Sequence, residues 1–322
     1  MRRLLILGLI ATVALSGCGR PSQHPTPESI TLAMGYIPNV QFAPFYVAVE
    51  KGYFADEGIE VEFDYGWETD LLKLVGTGEL SFAVASGEQV ILARSQGLPV
   101  VYIMNWYRKF PVCVVALKEK GIRKPEDLEG KTVGIPATYG ASYIGWRALV
   151  YATGIDEERV NLQTIGYTQV ESLVEDRVDA ALCYIMNEPV QLRQMGHEVS
   201  IIRVSDYIDL VSNGLITNES TIAERPELVR GLVHATLRGL RYTIDHPDEA
   251  FAICRKFVPE MGEEAIQRAV LDESIALWRS DALGLSDPAA WEASQDFMHR
   301  IGLIGTEIKV EELFTNEFVK SG

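Results

Sequence analysis

Apolar segments of strand length alternate with amphipathic segments of helix length along the first third of the chain. Each predicted helix here ends at or near a glycine, at Gly52, Gly76 and Gly97, and glycine is common just past a helix C-terminus. The alternation predicts a mostly parallel sheet with helices on its faces. The predicted strands are Ile30–Met34, Ile59–Phe63, Ser81–Ala85 and Val100–Asn105, and the predicted helices are Phe45–Lys51, Glu68–Val75 and Glu88–Gln96.

A second set of strands and helices begins after Pro111. Its predicted strands are Val112–Leu117, Thr132–Ile135, Gln163–Ile165, Ala180–Tyr184 and Val199–Val204, and its predicted helices are Ser142–Ala152, Val170–Glu175 and Glu188–Met195. Ser212–Thr217 is predicted to be a strand that returns to the first set. From Pro226 the pattern is helical, with predicted helices Glu227–Ile244, Pro247–Phe257, Glu263–Trp278 and Ala289–Ile301.

The two sets predict an α/β protein with two lobes that are joined by two chain crossings. We assign 29–110 and 211–322, with a helical C-terminal cap, to lobe 1, and 111–210 to lobe 2. Ligands of open α/β sheets bind beyond the carboxyl ends of the strands, so two facing sheets predict a ligand cleft between the lobes. Trp146 and Trp278 lie inside predicted helices, and we expect both in the core.

The N-terminus has the pattern of a bacterial lipoprotein signal. Arg2 and Arg3 precede an apolar run that is too short to span a bilayer, and Ser16-Gly17-Cys18 follows it. We therefore expect 1–17 to be a signal peptide, Cys18 to carry lipid, and 18–28 to be a tether at the extracytoplasmic face of the cell membrane. The alternative is an ordinary signal peptide that ends near a cysteine.

Charge and cysteine content narrow the function further. The formal net charge is −16, which disfavours nucleic acid as a partner and a highly anionic ligand as cargo. Beyond Cys18, three cysteines remain, and two of them lie in apolar runs, so buried free thiols are expected rather than a disulfide. The five histidines are scattered and no hydrolase, zinc or Walker motif is present, so we expect no metal site, no cofactor and no enzymatic activity.

Four segments resemble the signatures of one family. They are MGYIPNVQFAPFYVAVEKGYFADEGIEVEF (34–63), GELSFAVASGEQVILARSQGLPVV (78–101), EDLEGKTVGIPATYGAS (126–142) and VDAALCYIMNEP (178–189). The chain is thus similar to SsuA/ThiY-type solute-binding proteins, and most similar to their branch of RibY-type riboflavin-binding lipoproteins. The resemblance implies a type II-like periplasmic-binding-protein fold, and a monomer that delivers a small ligand to an ABC permease and its ATPase.

The candidate ligand-binding residues lie where predicted strands end and loops or helices begin. Small residues at these places let the backbone approach a ligand. Amide and carboxylate side chains can form hydrogen bonds with the edges of a ligand ring, and aromatic side chains can stack on its faces. The candidates are Tyr36, Asn39, Gln41, Phe42, Trp67, Ser86, Gly87, Trp106, Tyr107, Thr138, Tyr139, Gly140, Ser142, Tyr184, Asn187 and Glu188.

Several candidates have a structural alternative. Pro38-Asn39 could simply make a turn, Ser86 could only cap a helix, and Glu188 could only complement a helix dipole. The many aromatic candidates favour a small flat heteroaromatic ligand. The family includes importers of alkylsulfonates, of pyrimidine thiamine precursors and of riboflavin, and riboflavin is the largest flat ring among these. Riboflavin is therefore the first choice as transported ligand, a pyrimidine thiamine precursor is second, and a pyrimidine-synthesising enzyme of the same fold is the alternative of another class.

Overall fold

Ten strands form two five-stranded sheets in residues 27–320, the part of the chain that our computed structural model describes. The strands are β1 (Glu28–Met34), β2 (Ile59–Tyr65), β3 (Phe82–Ser86), β4 (Val100–Asn105), β5 (Val112–Leu117), β6 (Thr132–Ile135), β7 (Asn161–Thr164), β8 (Ala180–Tyr184), β9 (Val199–Arg203) and β10 (Asn213–Asn218). The first sheet has the order β2-β1-β3-β10-β4, and the second has the order β7-β6-β8-β5-β9. The chain therefore leaves the first sheet after β4 and returns to it in β10.

One strand in each sheet runs against the other four. In the first sheet β10 is antiparallel to β3 and to β4, and in the second β5 is antiparallel to β8 and to β9. The remaining pairs are parallel. Four of the five strands in each sheet therefore run in the same direction, as the prediction of a mostly parallel sheet requires, and the one reversed strand makes each sheet mixed. Both reversed strands directly follow a crossing between the sheets, so each begins beside the gap that separates them and runs away from it.

Fourteen helices accompany the sheets in the described residues. They are α1 (Ala43–Glu50), α2 (Tyr53–Asp56), α3 (Glu68–Thr77), α4 (Gly87–Ser95), α5 (Gly140–Thr153), α6 (Gln169–Val174), α7 (Glu188–Gln194), α8 (Glu219–Glu224), α9 (Pro226–Asp245), α10 (Pro247–Cys254), α11 (Glu264–Trp278), α12 (Pro288–Arg300), α13 (Val310–Leu313) and α14 (Glu317–Lys320). The sequence pattern predicted all the longer ones. It missed α2, α8, α13 and α14, because four to six residues show too little of the 3.6-residue period.

The C-terminal helices pack on lobe 1 and also reach lobe 2. α9 buries one apolar face against α1, and α10 packs beside them. α11 contacts α7 of lobe 2 and also the short 3-10 turn Val40–Phe42 of lobe 1. The predicted helical cap thus supports the side of the molecule where the two lobes meet.

The predicted core residues are buried. Trp146 is fully enclosed and its Nε1–H donates to Oε1 of Glu157 at 2.7 Å, and Trp278 is 1% exposed. The three cysteines of the described residues are free and buried, as expected. Cys113 and Cys183 lie opposite each other on β5 and β8, with their Sγ atoms 3.6 Å apart.

The N-terminal predictions fall outside the described residues. The predicted signal peptide, Cys18 and all but the last two residues of the predicted tether belong to 1–26, so they stay predictions. Within 27–320, no helix combines the length and the apolar character that a bilayer crossing requires.

Candidate ligand-binding site

A cavity of about 80 Å³ lies between the two sheets, where strands of both lobes end. The loops that line it follow β1, β2 and β4 in lobe 1 and β6, β7 and β8 in lobe 2. Twelve of the predicted residues line it, namely Tyr36, Gln41, Phe42, Trp67, Trp106, Tyr107, Tyr139, Gly140, Ser142, Tyr184, Asn187 and Glu188. That these residues contact a ligand stays a prediction.

Aromatic rings of the two lobes meet at the edge of this cavity. The ring of Trp67 stacks on Tyr167 of lobe 2, with centroids 4.9 Å apart and planes 15° apart. Trp67 also meets Tyr139 edge-on at 5.3 Å, and Tyr36 meets Tyr167 edge-on at 5.0 Å. Tyr139 and Tyr167 remain about half exposed, at 47% and 40%. The rings therefore form an interlobe contact, and they would have to separate before a ligand could enter the cavity.

A second aromatic group forms the lobe 1 side of the cavity. Trp106 is stacked between Phe42, at 5.7 Å, and Trp278, at 5.6 Å. Tyr107 packs edge-on against Trp106, and its hydroxyl donates to Oε1 of Gln41 at 3.3 Å. These rings are buried among one another, and both faces of Trp106 are covered by neighbouring rings.

Two carboxyl groups face the cavity, one from each lobe. Glu68 is the first residue of α3 and Glu188 is the first residue of α7, and both are buried, at 8% and 6% exposure. Burial raises the pKa of Glu188 to about 7 and also raises the pKa of Glu68 well above the ordinary carboxyl range. Among residues 27–320, no lysine, arginine or histidine lines the cavity, so the charge of this lining is zero or negative.

Several buried polar atoms of the lining residues have no hydrogen-bond partner within the described chain. Lobe 2 supplies three acceptors, which are Oε1 of Gln169, Oδ1 of Asn187 and Oε2 of Glu188. Lobe 1 supplies Nε1–H of Trp106 and the hydroxyl of Thr69. An unpaired buried polar group costs about 1–3 kcal/mol. The arrangement therefore suits a ligand that donates N–H or O–H groups towards lobe 2.

Four predicted residues do not line the cavity. Asn39 instead uses its side chain to cap the turn Val40–Phe42, accepting from the backbone N–H of Gln41 at 3.0 Å. Thr138 is exposed to solvent. Ser86 is fully buried and its hydroxyl donates to Oε2 of Glu68. Gly87 packs against Val211 of the return crossing. For Asn39 the structure agrees with the structural alternative of a turn, whereas Ser86 occupies the N-cap position of α4 without making a side-chain cap hydrogen bond.

Sequence reasoning missed ten lining residues. Tyr167 and Gln169 follow β7, and the strand-end rule that found their neighbours also applies to them. Glu68 was read only as the start of a helix, although it directly follows Trp67. The other missed residues are Gly35, Thr69, Val84, Pro136, Ala141, Cys183 and Asn213, most of them small or apolar residues with no separate chemical signal. The described residues contain no group of three or more His, Cys, Asp or Glu side chains that could hold a metal ion.

The fold has solved counterparts among solute-binding proteins. The alkanesulfonate-binding protein SsuA from Xanthomonas axonopodis pv. citri, solved bound to MOPS, superposes with a TM-score of 0.72 at 11% identity, covering 91% of this chain and 99% of that chain. At this identity the likeness concerns the fold. The two-lobed periplasmic-binding-protein fold predicted from the sequence is therefore confirmed.

Sequence comparisons connect the chain with binding proteins and with a group of synthases. Riboflavin-binding protein RibY of Chloroflexus aurantiacus is 42% identical, over 99% of this chain and 98% of its own length. A formylaminopyrimidine-binding protein of Halalkalibacterium halodurans is 30% identical, over 96% of both chains. A 4-amino-5-hydroxymethyl-2-methylpyrimidine phosphate synthase of Legionella pneumophila is 24% identical, over 90% of this chain and 92% of its own. Residues 39–250 match the NMT1/THI5-like family, and the chain belongs to that family.

Proposed function

We propose that this protein is the solute-binding subunit of an ABC importer and that its cargo is riboflavin. The observation that carries the proposal is the chemistry of the interlobe cavity, to which the described part of the chain contributes eight aromatic residues, two carboxyl groups and no basic side chain. Flat rings stack favourably on such walls. The 42% identity to a riboflavin-binding protein over nearly the whole chain supports the same ligand.

The chemistry of riboflavin matches both the aromatic rings and the unpaired polar atoms that line the cavity. Its three-ring isoalloxazine is flat and uncharged, which suits stacking on the half-exposed rings of Tyr139 and Tyr167. Its hydroxylated side chain and its ring N–H can donate hydrogen bonds to the unpaired acceptors of Gln169, Asn187 and Glu188. A sulfonate or a phosphate offers only acceptors and negative charge, so it would meet Glu68 and Glu188 without a compensating cation.

The rest of the proposal concerns where the protein acts. The closed lobes would dock on a permease whose partner ATPase drives import, and the protein would work as a monomer that is held at the extracytoplasmic face of the membrane by lipid on Cys18. Its role is capture rather than catalysis. The relatives named as binding proteins support this role more strongly than the synthase does, because their identity to this chain is higher.

A pyrimidine thiamine precursor is the second candidate ligand. The two buried carboxyl groups favour it specifically, because the exocyclic amino and hydroxyl or amide groups of such a pyrimidine could donate to Glu68 and Glu188 together. A single small ring, however, would cover fewer of the eight aromatic residues than a flavin would.

A calorimetric ligand panel tests the proposal. We expect riboflavin to bind at micromolar concentration or tighter, the flavin mononucleotide to bind more weakly because of its phosphate, and an alkanesulfonate not to bind. Tight binding of formylaminopyrimidine without any response to riboflavin would reverse the ranking of the two ligands. Conversion of a bound ligand to a product would replace the transport role by an enzymatic one.

A further inference from the structure

A third buried carboxyl group lies behind the lobe 1 wall of the cavity. Glu88 is in the first turn of α4, is fully buried and does not line the cavity. Neither of its carboxyl oxygens has a hydrogen-bond partner of good geometry among the described residues, although Ser86 and Gln89 lie beside it, and it belongs to none of their ion pairs. A charged carboxylate in such surroundings would be very costly, so these surroundings favour the neutral acid.

The neighbouring Glu68 has the opposite surroundings. Its Oε2 accepts a hydrogen bond from the hydroxyl of Ser86, and its Oε1 accepts one from Nδ2 of Asn213 at 3.2 Å. Hydrogen bonds donated to a carboxylate stabilise the charged form. Of the two buried groups, Glu68 is therefore the one that the structure prepares to carry a negative charge.

Charge on one member of this pair opposes charge on the other. Burial raises the pKa of both groups, and the charge of Glu68 raises the pKa of Glu88 further. The phenols of Tyr102, Tyr167 and Tyr184 face the pair, and their pKa values are raised above the ordinary value, so they stay neutral. Two buried like charges without a cation cannot both ionise readily.

The charged side chains of the surrounding elements do not compensate the pair. Those on α3, α4 and α5 take part in other pairs, namely Lys73 with Asp70, Arg94 with Glu219 and Glu312, and Arg147 with Glu157. Those on α12 and α13 are exposed or paired at the surface, namely Glu292, Asp296, His299, Arg300, Glu311 and Glu312. β3, β4 and β10 carry no charged residue.

We propose that the ligand binds the form of this pair in which Glu88 holds a proton and Glu68 does not. Glu88 is then a positioning residue, which fixes the charge of Glu68 without touching the ligand, and the Glu68 carboxylate accepts an N–H or O–H group of the ligand. The proposal rests on the ligand-binding function of the cavity. Under this proposal, the charge that lobe 1 presents to the ligand depends on the protonation of both Glu68 and Glu88.

The sign of the resulting pH dependence follows from proton counting. At high pH the free protein loses the Glu88 proton and must regain it to bind, so affinity falls as pH rises, by about tenfold per pH unit in the limit. At low pH Glu68 takes up a proton that the ligand must displace, so affinity also falls as pH decreases. Glu188 contributes to this acid limb as well, whereas the alkaline limb belongs to Glu88.

Infrared spectroscopy of the ligand-free protein provides the first test. A buried protonated carboxyl group has a C=O stretch apart from those of carboxylates. We expect this band near neutral pH in the wild type, and in Glu88→Gln we expect its intensity to fall to the part that Glu188 contributes. Glu62→Gln, which removes an exposed carboxylate of lobe 1, is the control and should keep the band. A wild-type spectrum without the band, or a band of undiminished intensity in Glu88→Gln, would overturn the proposal.

Riboflavin affinity between pH 5.5 and 9.5 provides the second test. Wild type should show both limbs. Glu88→Gln, whose amide mimics the protonated acid, should keep the neutral-pH affinity within about twofold and lose the alkaline limb. An alkaline limb that is identical in Glu88→Gln and wild type would contradict the proposal. If the variant does not fold, calorimetry of the wild type tests the same point. Binding is measured in two buffers whose heats of protonation differ, which gives the number of protons exchanged. The proposal requires that binding takes up a proton at pH 9 and releases one at pH 6.

The two tests separate this proposal from the choice of ligand. If riboflavin does not bind at any pH while the infrared band of Glu88 is present, the proposed cargo is wrong and the charge state of the pair stands. If riboflavin binds with no alkaline limb, the cargo stands and the role of Glu88 fails.

Discussion

Trp67 is the residue whose ring joins the two lobes most directly, through its contacts with Tyr139 and Tyr167. An aromatic pair contributes about 0.5–1.5 kcal/mol beyond its buried area, so we expect Trp67→Ala to weaken riboflavin binding about tenfold and Trp67→Phe to weaken it less. Fluorescence titration measures both. Tyr207→Ala, which removes an exposed ring outside the cavity, is the matched control. Wild-type affinity in Trp67→Ala would remove Trp67 from the binding site.

Gly35 determines where the Glu68 side chain can lie. A Cβ atom at this position would stand 2.5 Å from Cγ of Glu68 and 2.7 Å from the backbone oxygen of Val84. We therefore expect Gly35→Ala to displace Glu68, to weaken ligand binding and to lower the free energy of unfolding by about 1–3 kcal/mol. Urea denaturation measures the stability. Gly305→Ala, where a Cβ meets nothing within 4 Å, should be neutral, and equal effects of the two substitutions would contradict the steric argument.

A site residue could be predicted from the sequence when its position at the end of a strand could be predicted. Tyr36, Tyr139 and Glu188 follow predicted strands, and the strand-end rule placed them at the cavity. The same rule could not tell that the side chain of Thr138 points to solvent while its neighbour lines the cavity, since that depends on the orientation of one loop. Nor could it give the burial of Glu68, which depends on contacts with Ser86 and Asn213, distant in sequence.

At the scale of elements, hydrophobic periodicity predicted the long helices and the strands but not the direction of β5 and β10. A strand has the same alternation whichever way it runs, and direction is set by where the chain enters the sheet. Both strands follow a crossing, which brings the chain into each sheet at the cleft side. Crossing position, rather than periodicity, is thus the signal that would have predicted the one reversed strand in each sheet.

The packing of α4 against the return crossing depends on Gly87. A Cβ atom there would lie 2.7 Å from Cγ2 and 2.9 Å from Cβ of Val211. The backbone N–H of Gly87 also donates to the carbonyl oxygen of Ser212 at 3.0 Å. Gly87→Ala should therefore push the crossing away from α4 and lower the free energy of unfolding by about 1–3 kcal/mol. Urea denaturation beside the Gly305→Ala control measures this. An unchanged midpoint would mean that the crossing adapts without cost.

At the scale of the whole molecule, the two lobes are in contact across the cleft in the described structure. Its cavity holds about 80 Å³, below the 300–1,000 Å³ typical of pockets for drug-sized ligands. The stacked rings of Trp67 and Tyr167 would have to separate before a flavin could enter. Hinge motion about two crossings supplies such an opening in two-lobed binding proteins.

Anchoring to the membrane is a prediction about the whole protein, and substitution of Cys18 tests it. We expect Cys18→Ala to remove N-terminal lipid and to move the protein from the membrane fraction to the soluble fraction. Mass spectrometry of the N-terminal peptide and fractionation measure the two effects. Ser22→Ala, a substitution in the same predicted tether, should change neither. Lipid-free wild-type protein would contradict the prediction.

The central claim is that the cavity between the lobes holds one flat, uncharged heteroaromatic ring system. A titration of riboflavin with the purified protein, followed by flavin fluorescence, tests it most directly, because stacking on tryptophan and tyrosine quenches a flavin. We predict saturable quenching with one site per chain and a dissociation constant in the micromolar range or below. Fluorescence that stays unchanged at protein concentrations well above this range would contradict the claim.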